Sequence, residues 1–439
     1  MFNEFFDFLD TFVTYLQHLS LSSIVNTYWF LIFIELPRYY IVEYVVMFYI
    51  NLHQKKMHKL KAFARFRLHK DNPLISVIVP GKNEGQHIYK LVKSLAEQTY
   101  RNYEVIIIDD GSDDLTPYIC ADLEKAHLID KYIRMDVRGG KASAANMGAN
   151  VSKGKYIVHL DADSSLDVDA IENILLPFYL DDKIKGVGGC VKVRNSQNTI
   201  CTSLQAIEYL KRIQVGRTVT SFFGIYHIIS GAFGAFETKT LRTFGFWDVG
   251  PGLDGDITQK LRKAGYRVVF ANDAICMTNV PTRWYKLFHQ RIRWSRSLVR
   301  FRLRKHIDIL LPNKNWSFLN WLSNMESIMY DCVLNFVWVF YVINLMWKFN
   351  EHIIEVVFLG YFIRLCFNFL GFGLIMITSE RARQEFNLIR FMPLMSPYSG
   401  YFLRIVRSIA QLQEFFFFRS YDDPWNPEKT SRYAKLERK

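Results

Sequence analysis

Apolar positions along the chain fall into three regimes. Residues 1–20 mix Phe, Leu and Tyr with Glu4, Asp7 and Asp10. This pattern predicts an amphipathic, interfacial helix, and it lacks the basic start and cleavage site of a signal peptide. Residues 24–52 are nearly all apolar and long enough to cross about 30 Å of hydrocarbon, interrupted by Glu35, Pro37 and Arg38. Charges in lipid are costly unless they face protein or each other, so the segment reads as a kinked helix with a local ion pair. From Pro73 the period changes. Short apolar runs at 74–79, 103–108, 131–135 and 156–160 predict strands, with helical stretches at 88–97 and from Ser143. Such alternation predicts a mostly parallel sheet, whose ligands bind beyond the carboxyl ends of the strands. Apolar character returns near Trp316, with two predicted spans at 319–346 and 353–378. Residues 392–418 contain Pro393, Pro397, Gly400, Arg404 and Arg407, which predicts a bent hairpin or interfacial helix rather than one clean span.

The chain therefore divides into an N-terminal amphipathic and transmembrane segment (1–52), a basic cytosolic linker (53–73), an α/β catalytic domain (74–280), interfacial helices (281–315), transmembrane or re-entrant helices (316–418) and a cytosolic tail (419–439). Hydrophobic residues make up 50% and aromatics 16% of 439 residues, concentrated at the two ends. The net charge is +13. Much of it flanks apolar segments, at Lys55, Lys56, Lys59, Lys61, Arg65, Arg67 and Lys70, and at Arg300, Arg302, Arg304 and Lys305. This is the pattern of cytosolic flanks against anionic lipid, and no nucleic-acid module accompanies it. The six cysteines are scattered, without metal-site or disulfide spacing.

Candidate chemistry sits where strands end. Asp161-Ala162-Asp163 follows the 156–160 strand; two such carboxylates can hold a hard cation that neutralises a diphosphate, although aspartates also simply favour turns. Asp109-Asp110-Gly111-Ser112 follows another strand and could bind a base or ribose, or cap the next helix. Arg138-Gly139-Gly140-Lys141 resembles a phosphate cradle but lacks the P-loop spacing, which excludes an ATPase of that type. Asp254 and Asp256 lie in a glycine-rich acidic stretch before a helix. Either could act as a general base or cap that helix. Gln290, Arg293 and Trp294 share one helical face, where the arginine could stabilise a departing phosphate and the indole could stack on a sugar.

Taken in order, these motifs resemble the membrane-integrated synthases of glycosyltransferase family 2, which make cellulose, chitin, hyaluronan and poly-N-acetylglucosamine. The resemblance is close over 74–301 and looser beyond, including the 421–425 stretch. It implies a GT-A-type transferase domain between N- and C-terminal membrane helices. It places Pro80, Asn83 and Glu84 beside the nucleotide, Asp109 and Asp110 on the uridine, and Lys141 near the diphosphate. Asp161 and Asp163 become ligands of Mg²⁺ or Mn²⁺, and Ser230 and Gly231 the loop under the acceptor. Gln290, Arg293 and Trp294 match the family's Q-x-x-R-W. Asp254 matches the catalytic base, with Asp256 as the alternative register, because Leu253 and Gly252 stand where the pattern has Glu and Thr. The missing F-x-V-T-x-K-G argues against cellulose.

The activity so implied is inverting transfer of a hexose or N-acetylhexosamine from a UDP-sugar to a growing polysaccharide, coupled to export. The enzyme would sit in the cell membrane as a multi-pass protein with a cytosolic catalytic domain. Its partners would be the donor, a polysaccharide or lipid acceptor, membrane lipids, and a second copy or an export subunit completing the pore; nucleic acid is not among them. The competing reading is single transfer to a lipid or lipid-phosphate acceptor. A binding protein on a degenerate transferase fold is a third, opposed by the presence of Asp110, Asp161, Asp163 and Arg293.

Overall fold

The computed structural model describes residues 2–248, 252–313 and 316–422. Its centre is an eight-stranded sheet: β1 (Ile75–Gly81), β2 (Tyr103–Asp109), β3 (Lys131–Arg134), β4 (Tyr156–Leu160), β5 (Ser165–Leu166), β6 (Ile184–Val193), β7 (Phe233–Glu237) and β8 (Arg267–Thr278). The order is β3-β2-β1-β4-β7-β6-β8-β5. Strands β1 to β4 are mutually parallel, with Val77 opposite both Val105 and Val158. Strand β7 runs antiparallel to β4 and β6, and β5 antiparallel to β8. The sheet is thus mixed, and its parallel half is the half whose near-continuous apolar runs are visible in the sequence.

The pleat sends alternate side chains to opposite faces. Val77, Val79, Val105 and Ile107 pack with Ile88, Leu91 and Leu95 of the Gly85–Ala96 helix. Ile78, Ile106 and Ile108 face the other way, against Ala142, Ala145 and Ala149 of the Lys141–Val151 helix. Small alanines let that helix approach closely, which brings its first residue, Lys141, over the ends of β1 and β4.

Among the described residues two helices are long and apolar enough to cross a membrane, Phe318–Lys348 and Ile353–Thr378. A third would be the N-terminal pair Phe8–Gln17 and Leu21–Leu52, bent by 111°. Residues 31–41 are largely π-helical. The local Glu35–Arg38 ion pair expected from the sequence does not form. Glu35 instead pairs with Arg364 (3.1 Å) and Arg404, and Arg38 with Glu326 (2.6 Å). Both charges face the interior of the bundle, where distant helices supply partners that lipid cannot. The amphipathic Leu403–Phe417 helix lays Val406 and Ala410 on Ile292 of the Trp284–Val299 helix, so the membrane-proximal elements brace the catalytic domain directly.

Candidate active site

A cavity of 810 Å³ opens at the carboxyl ends of β1 and β4 and continues between the membrane helices. After β1 it is lined by Pro80, Gly81, Lys82 and Glu84. Asn83 is not on this wall. It adopts a left-handed φ of 59°, its backbone N–H donates to Ser112 Oγ (2.8 Å) and its side-chain Oδ1 accepts from Asp113 N (3.0 Å). It therefore ties the β1 loop to the β2 loop.

The two aspartates after β2 separate. Asp109 is buried in the sheet, accepting from Ser112 N (2.8 Å) and the Tyr132 hydroxyl (3.1 Å). Asp110 lines the cavity and accepts from Gly139 N (2.6 Å) and Gly140 N (2.9 Å). Burial raises the Asp110 carboxyl and these N–H donors oppose the rise. Gly140 sits at φ 87°, a conformation that side chains disfavour; this turn starts the helix that carries Lys141.

Lys141 is ion-paired with Asp161. Asp163 accepts a long hydrogen bond from Thr278 Oγ1 (3.3 Å). Arg194 holds this loop from behind through the carbonyls of Asp163 (3.2 Å) and Met277 (2.7 Å) and the hydroxyl of Ser165 (2.8 Å). Burial and the neighbouring Asp161 push the Asp163 carboxyl up to about 6. Burial, then Asp163 and Asp161, push Glu84 up to about 7. Two carboxylates raised by burial and by the acids beside them mark a place where a cation would be welcome. No three or more His, Cys, Asp or Glu among the described residues form a preassembled metal shell. Asp161 and Asp163 together with substrate phosphate oxygens are nonetheless the donor set Mg²⁺ ordinarily takes, so the residues fit the ion.

Asp254 and Asp256 lie near the start of the Leu253–Lys263 helix, two residues apart and so about 200° apart around its axis. Asp254 faces the cavity, and its Oδ2 accepts from Gly231 N (2.8 Å). Burial raises its carboxyl, moderated by Lys141 and the Gly231 N–H. Asp256 does not reach the cavity. It is buried against His306 (2.8 Å), Lys305 (3.0 Å) and Lys260 (3.6 Å). Of the two registers the sequence leaves open, Asp254 is the aspartate on the cavity wall and Asp256 the one held in a buried ion cluster.

His159, which the sequence reading passed over, completes the positioning. Burial drives its imidazole down to about 4, so the ring is neutral and its Nδ1–H donates to the Gly231 carbonyl (2.7 Å). Gly231 is thus fixed on one side by β4 and on the other by Asp254. A histidine inside the otherwise apolar 156–160 run was the available signal. Ser230 lines the cavity beside it. Gln290, Arg293 and Trp294 all lie on the cavity wall, and Trp294 is 43% exposed. Arg291 also lines the cavity, in a buried pair with Glu208 (2.9 Å), and its guanidinium covers the Trp294 ring at 4.3 Å.

Residues 76–242 match the family model described as Glycosyl transferase family 2. A poly-beta-1,6-N-acetyl-D-glucosamine synthase of Staphylococcus epidermidis is 29% identical over 310 residues, which cover 70% of this chain and 71% of that one. The protein of the same name from Staphylococcus aureus (strain COL) is 28% identical over 272 residues, covering 61% and 63%. Among solved structures, a mannosyltransferase from Pyrobaculum calidifontis in complex with GDP-Man and Mn²⁺ aligns with a TM-score of 0.54 at 20% identity. That alignment covers 85% of this chain and 99% of that one, a likeness of fold.

Proposed function

Because the chain carries a family 2 glycosyltransferase domain, we propose that it transfers N-acetylglucosamine from a UDP-sugar, with inversion, to a growing polysaccharide that leaves between its membrane helices. The observation that carries this reading is the single cavity shared by Asp254, the Asp161/Asp163 pair and the Gln290–Trp294 face, and prolonged between the spans. The synthases to which the chain is similar are named for an N-acetylglucosamine polymer, which supports that sugar and a polymeric product.

Asp254 is the base. Burial makes its carboxylate more basic than usual, and the Gly231 N–H fixes the oxygen that does not take the proton. It removes the proton from the acceptor hydroxyl, and that oxygen attacks the anomeric carbon from the face opposite the nucleotide. Lys141 and Arg293, both on the cavity wall, offset the charge that develops on the departing diphosphate. Mg²⁺ or Mn²⁺ held by Asp161 and Asp163 would supply further neutralisation of that diphosphate. Asp110 orders the Gly139–Gly140 turn beside it, and Trp294 offers a stacking surface to the acceptor. The catalytic domain faces the cytosol, where the nucleotide donor is made.

The test is UDP release and sugar incorporation from labelled UDP-N-acetylglucosamine by the full chain in nanodiscs, compared with Asp254→Asn. Loss of the base should slow turnover about 10²–10⁴-fold while donor binding persists. An Asp254→Asn enzyme as fast as wild type would remove the proposed mechanism.

A further inference from the structure

The cavity does not end at Asp254. Between the membrane helices its walls carry Arg212, Arg364, Arg404 and Arg407. Glu35 is shared by Arg364 and Arg404. Asp331 pairs with Arg212 at 3.2 Å. Glu208 stands 4.0 Å from Arg212 but is committed to Arg291 at 2.9 Å and to the Tyr398 hydroxyl at 2.7 Å. Arg407 has neither a hydrogen bond nor an ion pair among the described residues. The charges that bear on it are those of Arg212, Asp331 and Arg404. An arginine guanidinium keeps its charge at neutral pH.

Four guanidiniums thus face two carboxylates, and adding the Arg291–Glu208 pair leaves the surplus at two. On the same wall Arg38 is matched by Glu326 at 2.6 Å. Arg407 is half-buried on this wall, and a guanidinium with no carboxylate paired with it in such a place favours an anion. Its planar fork of donors suits two oxygens of one phosphate, and a phosphate's charge of one to two matches the surplus.

We infer that this inner part of the cavity is a phosphate-binding site, with Arg407 as its principal ligand and Arg212 and Arg404 beside it. The phosphate belongs either to a lipid headgroup entering between the helices or to a free phosphate reaching the cavity from the cytosol. Neither source requires sugar transfer, so the site can fail while the transferase reading stands, and the reverse.

The experiment uses the full chain and two probes. Native mass spectrometry counts phosphatidylglycerol retained by protein purified from vesicles of phosphatidylcholine and phosphatidylglycerol. In parallel, inorganic phosphate is titrated into protein in phosphatidylcholine nanodiscs and read by tryptophan fluorescence, since Arg404 lies 5.4 Å from the Trp338 ring. Saturable binding of at least one probe is expected, weakened about tenfold or more in Arg407→Gln and largely kept in Arg407→Lys. Retained phosphatidylglycerol identifies a headgroup, and a response to phosphate alone identifies a free anion. Because Arg407 has no hydrogen-bond or ion-pair partner among the described residues, Arg407→Gln should fold and melt no lower than wild type without either probe. Failure of wild type to bind both probes, equal binding by Arg407→Gln, or a marked loss of its ligand-free stability would each overturn the inference.

Discussion

Replacing Gly231 by alanine perturbs the proposed base without touching it. A Cβ at this position would lie 2.9 Å from both Cγ and Oδ2 of Asp254 and closer still to Oδ1, where ordinary contact begins at 3.4 Å. The Asp254 carboxylate is the end of a side chain, so it yields before the backbone does, and the fold survives. A displacement of about 1 Å in a catalytic group costs on the order of 10²-fold in rate, or about 2.7 kcal/mol of barrier. The three heavy atoms nearest this Cβ all belong to Asp254 rather than to the donor side of the cavity. The assay is steady-state UDP release with donor binding and thermal melting measured alongside. The expected result is kcat lowered about a hundredfold, with unchanged donor Kd and Tm. A Gly231→Ala enzyme with wild-type kcat would refute the claim that the Gly231–Asp254 contact sets the position of the base. A variant that lost donor binding in step with kcat would place the residue in a different role.

Three further outcomes follow from the same geometry. Burial works to raise the Asp256 carboxyl, but the His306 hydrogen bond and the charges of Lys305 and Lys260 outweigh it and hold it below the ordinary range. Its contribution to stability is therefore complete above the ordinary aspartate pKa of about 4 and lost as pH falls below that. Asp256→Asn should cost about 3–5 kcal/mol by thermal melting at neutral pH and flatten the fall in Tm below pH about 4, while the folded protein still turns over; loss of kcat without loss of stability would restore Asp256 as the base. Chelation with EDTA should abolish UDP release and added Mn²⁺ or Mg²⁺ should restore it, whereas full activity in EDTA would remove the ion from the account. Trp294→Ala should weaken acceptor binding by about 0.5–1.5 kcal/mol, the range for aromatic contacts, giving shorter products at unchanged donor affinity; product length equal to wild type would exclude the indole from the acceptor path.

Much of this architecture is legible in the sequence because parallel strands buried on both faces leave continuous apolar runs. The 156–160 run coincides with β4 and the 353–378 span with its helix. Strand β7 (Phe233–Glu237) carries no such mark, being short and glycine-containing, and its antiparallel insertion depends on pairing with β4 and β6. The partner of Glu35 could not be read locally because Arg364 lies 329 residues away. Asp109 and Asp110 are adjacent in sequence yet have opposite fates, since successive positions at a strand end point to opposite sides. The same reasoning separates Asp254 from Asp256 once the start of their helix is fixed. The 250–251 part of that acidic stretch and the 423–425 part of the C-terminal motif lie outside the described residues.

The central claim is polymer synthesis from one nucleotide sugar, and the most direct measurement is the size of the product. The full chain in nanodiscs with Mn²⁺ or Mg²⁺ would be given a panel of labelled nucleotide sugars, without added acceptor, and the products sized. The expected result is a long polymer from UDP-N-acetylglucosamine alone. Short or lipid-linked product from that donor, or a polymer from a different one, would contradict the account.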